Sequence, residues 1–375
     1  MKKVVIAIDS FKGCLPSAEA GKAAAEGIRS VYPECEVICL PIADGGEGML
    51  DVLIMATNGQ EVPISAHDPL MRWRNTYYGI SENGETAFIE MASISGLPLV
   101  PSERRNPMLT TTYGTGEIIR DALERGCRNF IIGIGGSATN DAGLGMLQAL
   151  GFRFSDKEGK EVGTGRGEVL IKVAHIDSTC VHPALNSCRF TVACDVQNPF
   201  YGPEGAAYVF APQKGADREM VEALDAGLQN FAEVIRHTTG KDISHHPGAG
   251  AAGGMGGSLL AFLNAELKPG IQLMLEALDF SNKIKSADLI ITGEGKADRQ
   301  TLMGKVPSGI LAEARKQNIP VILLAGNIED SDELQQAGFE GVFSVNPPFI
   351  SLEEAMRPEV ARKNIQQTVE SICKK

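Results

Sequence analysis

Apolar and polar positions along the chain follow two different grammars. Near the ends, short apolar runs at residues 4–8, 36–40, 288–292, 321–325 and 341–345 each stop in a polar or glycine-rich loop. Helical spacing follows most of them, over residues 18–32, 47–57 and 307–317, in a short segment up to 337, and in a final amphipathic stretch. That is the alternation of a parallel sheet covered by helices. At about residue 60 the pattern changes. Runs at 61–66, 72–80 and 85–90 follow one another without long helices, and Asn83-Gly84 between the last two is a hairpin signal.

Further along, helices are predicted over 91–97 and 114–126, strands over 152–155, 169–173 and 189–193, and a long amphipathic helix over 217–237. In that helix Met220, Leu224, Leu228, Phe231 and Ile235 recur at helical spacing. Ser17 is placed to cap the first helix. The fold class that follows is α/β with two domains. A Rossmann-like parallel sheet is built from both chain ends, residues 1–60 and 287–375. A mixed α/β domain, residues 61–286, is inserted into it, and the expected active site is a cleft between them. A single long sheet is the alternative.

In the middle of the chain stands FIIGIGGSATNDAG, residues 130–143. A buried strand runs out into glycines and then into hydroxyl, amide and carboxylate side chains. One reading is a backbone that meets a ligand, because glycine N–H groups can approach a phosphate closely. The other is a strand, a turn and a helix cap at Asn140 or Asp141.

Composition narrows the choices. The chain has 375 residues, enough for one large or two ordinary domains. Glycine is enriched, with 42 residues, and much of the excess sits in short clusters after apolar runs. The net charge of −12 argues against nucleic acid or an acidic membrane as partner. Anionic substrates must then be held by local cations, backbone amides or a metal. Eight cysteines form no CxxC pair and six histidines no metal spacing, which suits reduced thiols in a cytoplasmic protein without structural zinc. No signal peptide or transmembrane span is expected. The oligomeric state is left open.

Seven apolar runs end in the loops DSFKG, ADGGEG, GGSATND, CDVQNP, GEGKAD, GNIED and NPP. In open α/β sheets ligands bind beyond the carboxyl ends of the strands. Asp44, Glu47, Asp141, Asp195, Glu294 and Asp298 are candidate magnesium or base carboxylates. Lys12, Lys296 and Lys305 are candidate phosphate partners. This inventory suits phosphoryl transfer. No Walker A pattern and no protein-kinase signature occurs.

A dehydrogenase is the rival reading. Gly133-x-Gly135-x-x-Ala138 imitates a dinucleotide fingerprint with Asp156 downstream, although Asp156 sits in a turn-like DKEG. A non-catalytic binding protein is a third class. Arg104 and Arg105 are either a grip for a substrate carboxylate or a solvated loop.

Several blocks in order add a resemblance. IAIDSFKG, PIADGGEGMLDVL, TAFIEMASISGLPLVP, RNPMLTTTYGTGE, IIGIGGSATNDAGLGMLQALG, ACDVQNP, GAGAAGGMGGSLLAFL and ITGEGKADRQTLMGKVP together resemble the bacterial glycerate kinase family. The likeness covers essentially the whole chain. The departures are small: IAIDS lacks a proline common before the aspartate, and the segment after GEG varies. The resemblance implies ATP-dependent phosphorylation of D-glycerate to 2-phosphoglycerate with Mg²⁺, in the cytosol; a glycerate 3-kinase is the near alternative.

Role assignments stay with the residues. Lys12, Asp44, Asp195 and Lys296 are the expected catalytic groups, with Asp195 or Asp44 as base. Gly135, Gly136, Ser137, Thr139 and Asn140, with Gly293, Glu294 and Gly295, are the expected ATP-binding residues. Asp44, Asp141, Asp195 and Glu294 are the expected metal ligands.

Overall fold

A computed structural model describes residues 1–46 and 48–374. Among them thirteen strands follow in chain order: β1 (Lys3–Ile8), β2 (Glu36–Cys39), β3 (Gln60–His67), β4 (Trp73–Ile80), β5 (Thr86–Glu90), β6 (Asn129–Gly133), β7 (Arg153–Ser155), β8 (His175–Asp177), β9 (Arg189–Ala193), β10 (Glu266–Lys268), β11 (Leu289–Ala297), β12 (Val321–Ile328) and β13 (Gly341–Ser344). The chain divides into two compact units, one of Met1–Asp44 with Ile271–Lys375, the other Gly45–Gly270.

The first unit holds a parallel sheet in the order β13-β12-β11-β1-β2. Val4 to Ile8 are all buried, as both faces of a covered parallel sheet require. The helix Ser17–Val31 packs on the C-terminal helix Pro358–Cys373. Its alanines Ala20, Ala23 and Ala24 are buried in one core with Ile365 and Val369. Contact is close enough that a Cβ on Gly27 would lie 2.5 Å from the Gln366 carbonyl oxygen.

Ser17 does not cap this helix; Pro16 occupies that position. The Ser17 hydroxyl instead donates to the Ile8 carbonyl (2.6 Å) and accepts from the Ile42 N–H (2.9 Å). It thereby fixes the end of β1 to the segment that leads to Asp44.

The second unit carries a six-stranded sheet in the order β10-β9-β6-β5-β4-β3 and a two-stranded β7-β8 pair. β10, β9, β6 and β5 run parallel, and β4 and β3 are antiparallel. The β4–β5 connection is the tight turn that Asn83-Gly84 announced. The long helix Arg218–Thr239 is capped by Asp217 and buries Leu224, Leu228, Phe231 and Ile235. Of the segment 169–173, expected as a strand, residues 169–172 belong to the 3-10 helix Gly167–Lys172 and Val173 follows its end.

The division falls after Asp44 and after Gly270, not near residues 60 and 287. The helix Met49–Ala56 packs on β4 and β5, and Ile54 occupies the space a Cβ on Gly79 would need. Residues 271–286 go with the first unit, where Ile271 lies against Gly309. A helix belongs with the sheet that covers its apolar face, and chain order does not reveal which one that is.

Candidate active site

In the first unit a cavity of about 420 Å³ opens at the carboxyl ends of β1 and β11. Lys12, Asp44, Glu294, Gly295, Lys296 and Lys305 line it, six of the residues expected from sequence. Asp9 joins them. Phe11, Val345, Leu352 and Met356 form an apolar wall.

GEGKA was expected to be a loop, but it continues β11, with Glu294 paired to Ala325 and Lys296 to Asn327 on β12. Period-two alternation therefore puts Glu294 and Lys296 on the same face. Gly293 is explained by packing: a Cβ there would lie 2.5 Å from the Leu324 carbonyl oxygen. At Gly295 the nearest atom to such a Cβ is Phe11 Cα at 3.6 Å, an ordinary contact, so packing does not demand a glycine there, and Gly295 lines the cavity.

Carboxylates and lysines interleave. Lys12 Nζ lies 3.9 Å from Asp44, and Lys305 Nζ lies 3.6 Å from Glu294. Lys296 pairs with Glu329 at 2.9 Å and Asp298 at 3.5 Å, and the Glu329 contact raises its pKa. Thr301 Oγ1 donates to Glu294 at 2.6 Å, while burial pushes the Glu294 pKa up. Asp298 caps the short helix Arg299–Leu302.

Asp9 was not among the sequence candidates. It is the first residue beyond β1, where its N–H donates to Gly293 O (2.9 Å). It is 7% exposed, and its pKa is raised to about 7, first by burial and then by the charge of Asp44. The Ser10 N–H donates to Oδ1 and, with Lys12, works in the opposite direction. Its position directly after a buried strand was the available signal.

In the second unit, β6 sits between β5 and β9 and runs into the 134–143 loop. The loop has two halves. Gly135 and Gly136 are exposed and line a cavity of about 370 Å³ with Gly45, Gly46, Glu90 and Ser93. Ser137, Thr139, Asn140 and Asp141 are buried.

Lys214, also buried, donates from Nζ to Ser137 Oγ (2.8 Å) and Thr139 O (2.6 Å). Burial lowers its pKa to about 7, against the opposing charge of Asp141. Sequence reading did not single out Lys214, which lies in a 3-10 turn with no motif around it.

Asp141 does not fit the expected metal role. Its oxygens accept from Thr112 N, Thr112 Oγ1, Gly143 N and Gly145 N, and no part of it is exposed. It anchors the loop to the start of the next helix, and burial still raises its pKa. Asp195, beyond β9, accepts from Gly270 N–H at 2.8 Å and is not among the residues lining the 420 Å³ cavity. Glu47 lies outside the described residues. Among the described residues no three His, Cys, Asp or Glu side chains form a group able to hold a metal by themselves.

The dinucleotide fingerprint fails on geometry. β6 ends at Gly133 and the next helix begins at Leu144, so strand, tight turn and helix do not follow directly. Asp156 closes a turn, with its N–H bonded to Lys160 O. Among the described residues no helix is long and apolar enough to cross a membrane.

Comparison with known proteins places the whole chain in one family. The model of the glycerate kinase family matches residues 4–375. A relative from Escherichia coli K12 named glycerate 2-kinase is 48% identical, over 95% of this chain and 93% of its own length. A glycerate kinase from Bacillus subtilis 168 is 46% identical over 99% and 97%. A crystal structure from Salmonella typhimurium LT2, described as a candidate glycerate kinase 2, superposes with a TM-score of 0.91 at 44% identity, covering 100% of this chain and 97% of that one. The chain belongs to the glycerate kinase family and is a kinase.

Proposed function

We propose that the protein transfers the γ-phosphoryl group of ATP to the 2-hydroxyl of D-glycerate, giving 2-phosphoglycerate and ADP. The observation that carries this reading is the first-unit cavity, in which Lys12, Lys296 and Lys305 stand among Asp9, Asp44 and Glu294. Phosphoryl transfer needs little covalent help from a protein. It needs cations on the moving phosphoryl and a group that accepts the hydroxyl proton.

The glycerate C2 oxygen forms a bond to the γ-phosphorus as the bond to the ADP oxygen breaks. Lys12 and Lys305 compensate the charge on the transferring oxygens. Lys296, held by Glu329 and Asp298, is the third cation. The released proton goes to Asp9 or Asp44. Asp44 stays a candidate base and Asp9 replaces Asp195, because Asp9 and Asp44 both line the cavity. The apolar wall of Phe11, Val345, Leu352 and Met356 suits the flat face of the adenine base.

Asp44 and Glu294 fit magnesium, which commonly takes only one or two carboxylates and completes its shell with water and substrate phosphate oxygens. When bound, the ion supplies positive charge to the triphosphate. The relatives' names support glycerate as acceptor, and the Escherichia coli relative is named for the 2-kinase activity. Eight free cysteines favour the cytoplasm.

A coupled assay with D-glycerate, ATP and Mg²⁺, followed by phosphorus NMR of the product, tests the reading. Phosphate on C2 is the expected result. Phosphate on C3 would make the enzyme a 3-kinase, and absence of ADP formation would overturn the proposal.

A further inference from the structure

We propose that Asn346, held in one orientation by Gly326 and Asn364, reads the edge of the adenine ring of ATP and sets the preference for that base. This rests on the kinase reading above, in which the apolar wall of the first-unit cavity takes the flat face of the base. It adds to that reading the group that selects which base.

Different elements of the first unit supply these residues. Gly326 lies on β12, Asn346 follows the end of β13, and Asn364 lies on the helix Pro358–Cys373. Asn346 Nδ2 donates to Gly326 O at 2.8 Å, and Asn364 Nδ2 donates to Asn346 Oδ1 at 3.2 Å. A peptide carbonyl can only accept, so the nitrogen end of the Asn346 amide faces Gly326 and the oxygen end faces Asn364. The Gly326 carbonyl is itself fixed by close strand pairing: a Cβ on Gly326 would lie 2.7 Å from Gly295 O. The backbone of Asn346 is held as well, because its N–H donates to Ser344 Oγ at 3.3 Å.

A primary amide carries two N–H bonds and two lone pairs on its oxygen. Among the described residues, each end of the Asn346 amide uses one of its pair. One donor and one acceptor therefore remain side by side. Asn346 is half-buried and lines the cavity, so a solute can reach that edge. It is the next residue after Val345 of the apolar wall, to which Phe11, Leu352 and Met356 also belong. Asn327, the other amide in the lining, donates to Glu329 at 3.4 Å, and Glu329 is the partner of Lys296. That amide belongs to the charged side of the cavity, whereas Asn346 belongs to the apolar side.

Adenine matches such an edge. Its 6-amino group donates and the adjoining ring nitrogen, N1 or N7, accepts, which is the pattern an asparagine amide pairs with at two points. An amide that cannot turn over takes only one order of donor and acceptor. Hypoxanthine has a carbonyl in place of the 6-amino group and breaks the match on both edges. Beside its N1–H the order is reversed, and beside its N7 both atoms are acceptors. Glycerate has no apolar face and gains nothing from the wall next to Asn346.

The test is steady-state kinetics on the full-length enzyme with Mg²⁺ and D-glycerate, comparing ATP with inosine triphosphate as phosphoryl donor. Wild type is expected to favour ATP in kcat/KM by roughly 10-fold or more. Asn346→Ala should raise KM for ATP and bring the ratio of the two donors close to one, with KM for D-glycerate near wild type. Asn364→Ala leaves the amide in place but free to turn. KM for ATP should change less there, yet the ratio should still fall, which a merely structural role would not produce. Asn364→Ala carries the test if Asn346→Ala does not fold.

Equal use of both donors by the wild type would overturn the proposal, and so would an unchanged ratio in Asn346→Ala. A rise in KM for D-glycerate with KM for ATP unchanged would mean that Asn346 meets the acid, and it would overturn the proposal too. If the wild type forms no diphosphate from either donor, the kinase reading fails by itself. Calorimetry with ATP and inosine triphosphate then decides the role of Asn346: tighter binding of ATP that is lost in Asn346→Ala supports it, and equal binding of the two sinks it.

Discussion

Two regions of this molecule hold cations, and they hold them differently. In the first unit, Lys12, Lys296 and Lys305 are partly exposed and each lies within 4.0 Å of a carboxylate. In the second, Lys214 is buried and bonded to neutral oxygens, and Arg105 and Arg166 have buried nitrogens without partners. The first arrangement is an exchangeable network. An entering triphosphate can take over the lysines, and the carboxylates released can turn to a metal or a proton. The second is a fixed frame whose deficit only a ligand or water can fill. Pairing lowers the cost of keeping charges in a site open to exchange, while burial without pairing leaves donors whose cost falls when a partner arrives.

The contrast can be broken in a definite order. Asp9→Asn should have the largest effect on turnover. Removing the group proposed to accept the proton should lower kcat roughly 10²–10⁴-fold, read in the coupled assay. A kcat within twofold of wild type would move the base to Asp44.

Lys12→Ala should lower kcat by about 10²-fold with little change in melting temperature, since its side chain is 66% exposed and its ion pair is long. Full activity in the folded variant would remove Lys12 from the mechanism.

The frame of the second unit should show its weakness in stability. Asp141→Ala leaves four donors without an acceptor in a buried place, which should cost about 3 kcal/mol or more of unfolding free energy in urea titration. A loss well below 1 kcal/mol would mean that the loop is held by other contacts.

The last effect is in pH dependence. Folding raises the Asp9 pKa from 3.8 to about 7, so the native state binds this proton more tightly than the unfolded chain. The stability this confers is full below pH 3.8 and is lost as pH rises through about 7. Asp9→Asn, which cannot ionise, should therefore gain stability relative to wild type across that window. A difference in unfolding free energy that stays flat between pH 4 and 8 would contradict the upward shift.

Much of this architecture was legible before any coordinates. Continuous apolar runs at both ends, each closing in a polar loop, mark covered parallel strands, and all five pair in the first-unit sheet. Asn83-Gly84 marked the reversal between β4 and β5. Lys12, Asp44, Glu294 and Lys296 were found because carboxylates and lysines at strand ends carry a chemical meaning that composition does not dilute.

Other features were hidden for physical reasons. The helix Met49–Ala56 looked like part of the first unit, because a local pattern shows an apolar face without naming its partner. GEGKA looked like a loop, because glycine suggests a turn; here Gly293 lets two strands lie close, so β11 continues.

What the sequence determined by itself is the long strands of both sheets and the family of chemistry, since these follow from local periodicity and from side-chain type; the three-residue strands β8 and β10 carry too short a pattern to be read. Only the tertiary structure decided which charges meet. It turned Asp141 from a metal candidate into a loop anchor, brought Asp9 beside Asp44, and set Lys214 under a loop 75 residues away in sequence. Electrostatic roles depend on distance and burial, and both are produced by packing between segments that the order of residues does not place together.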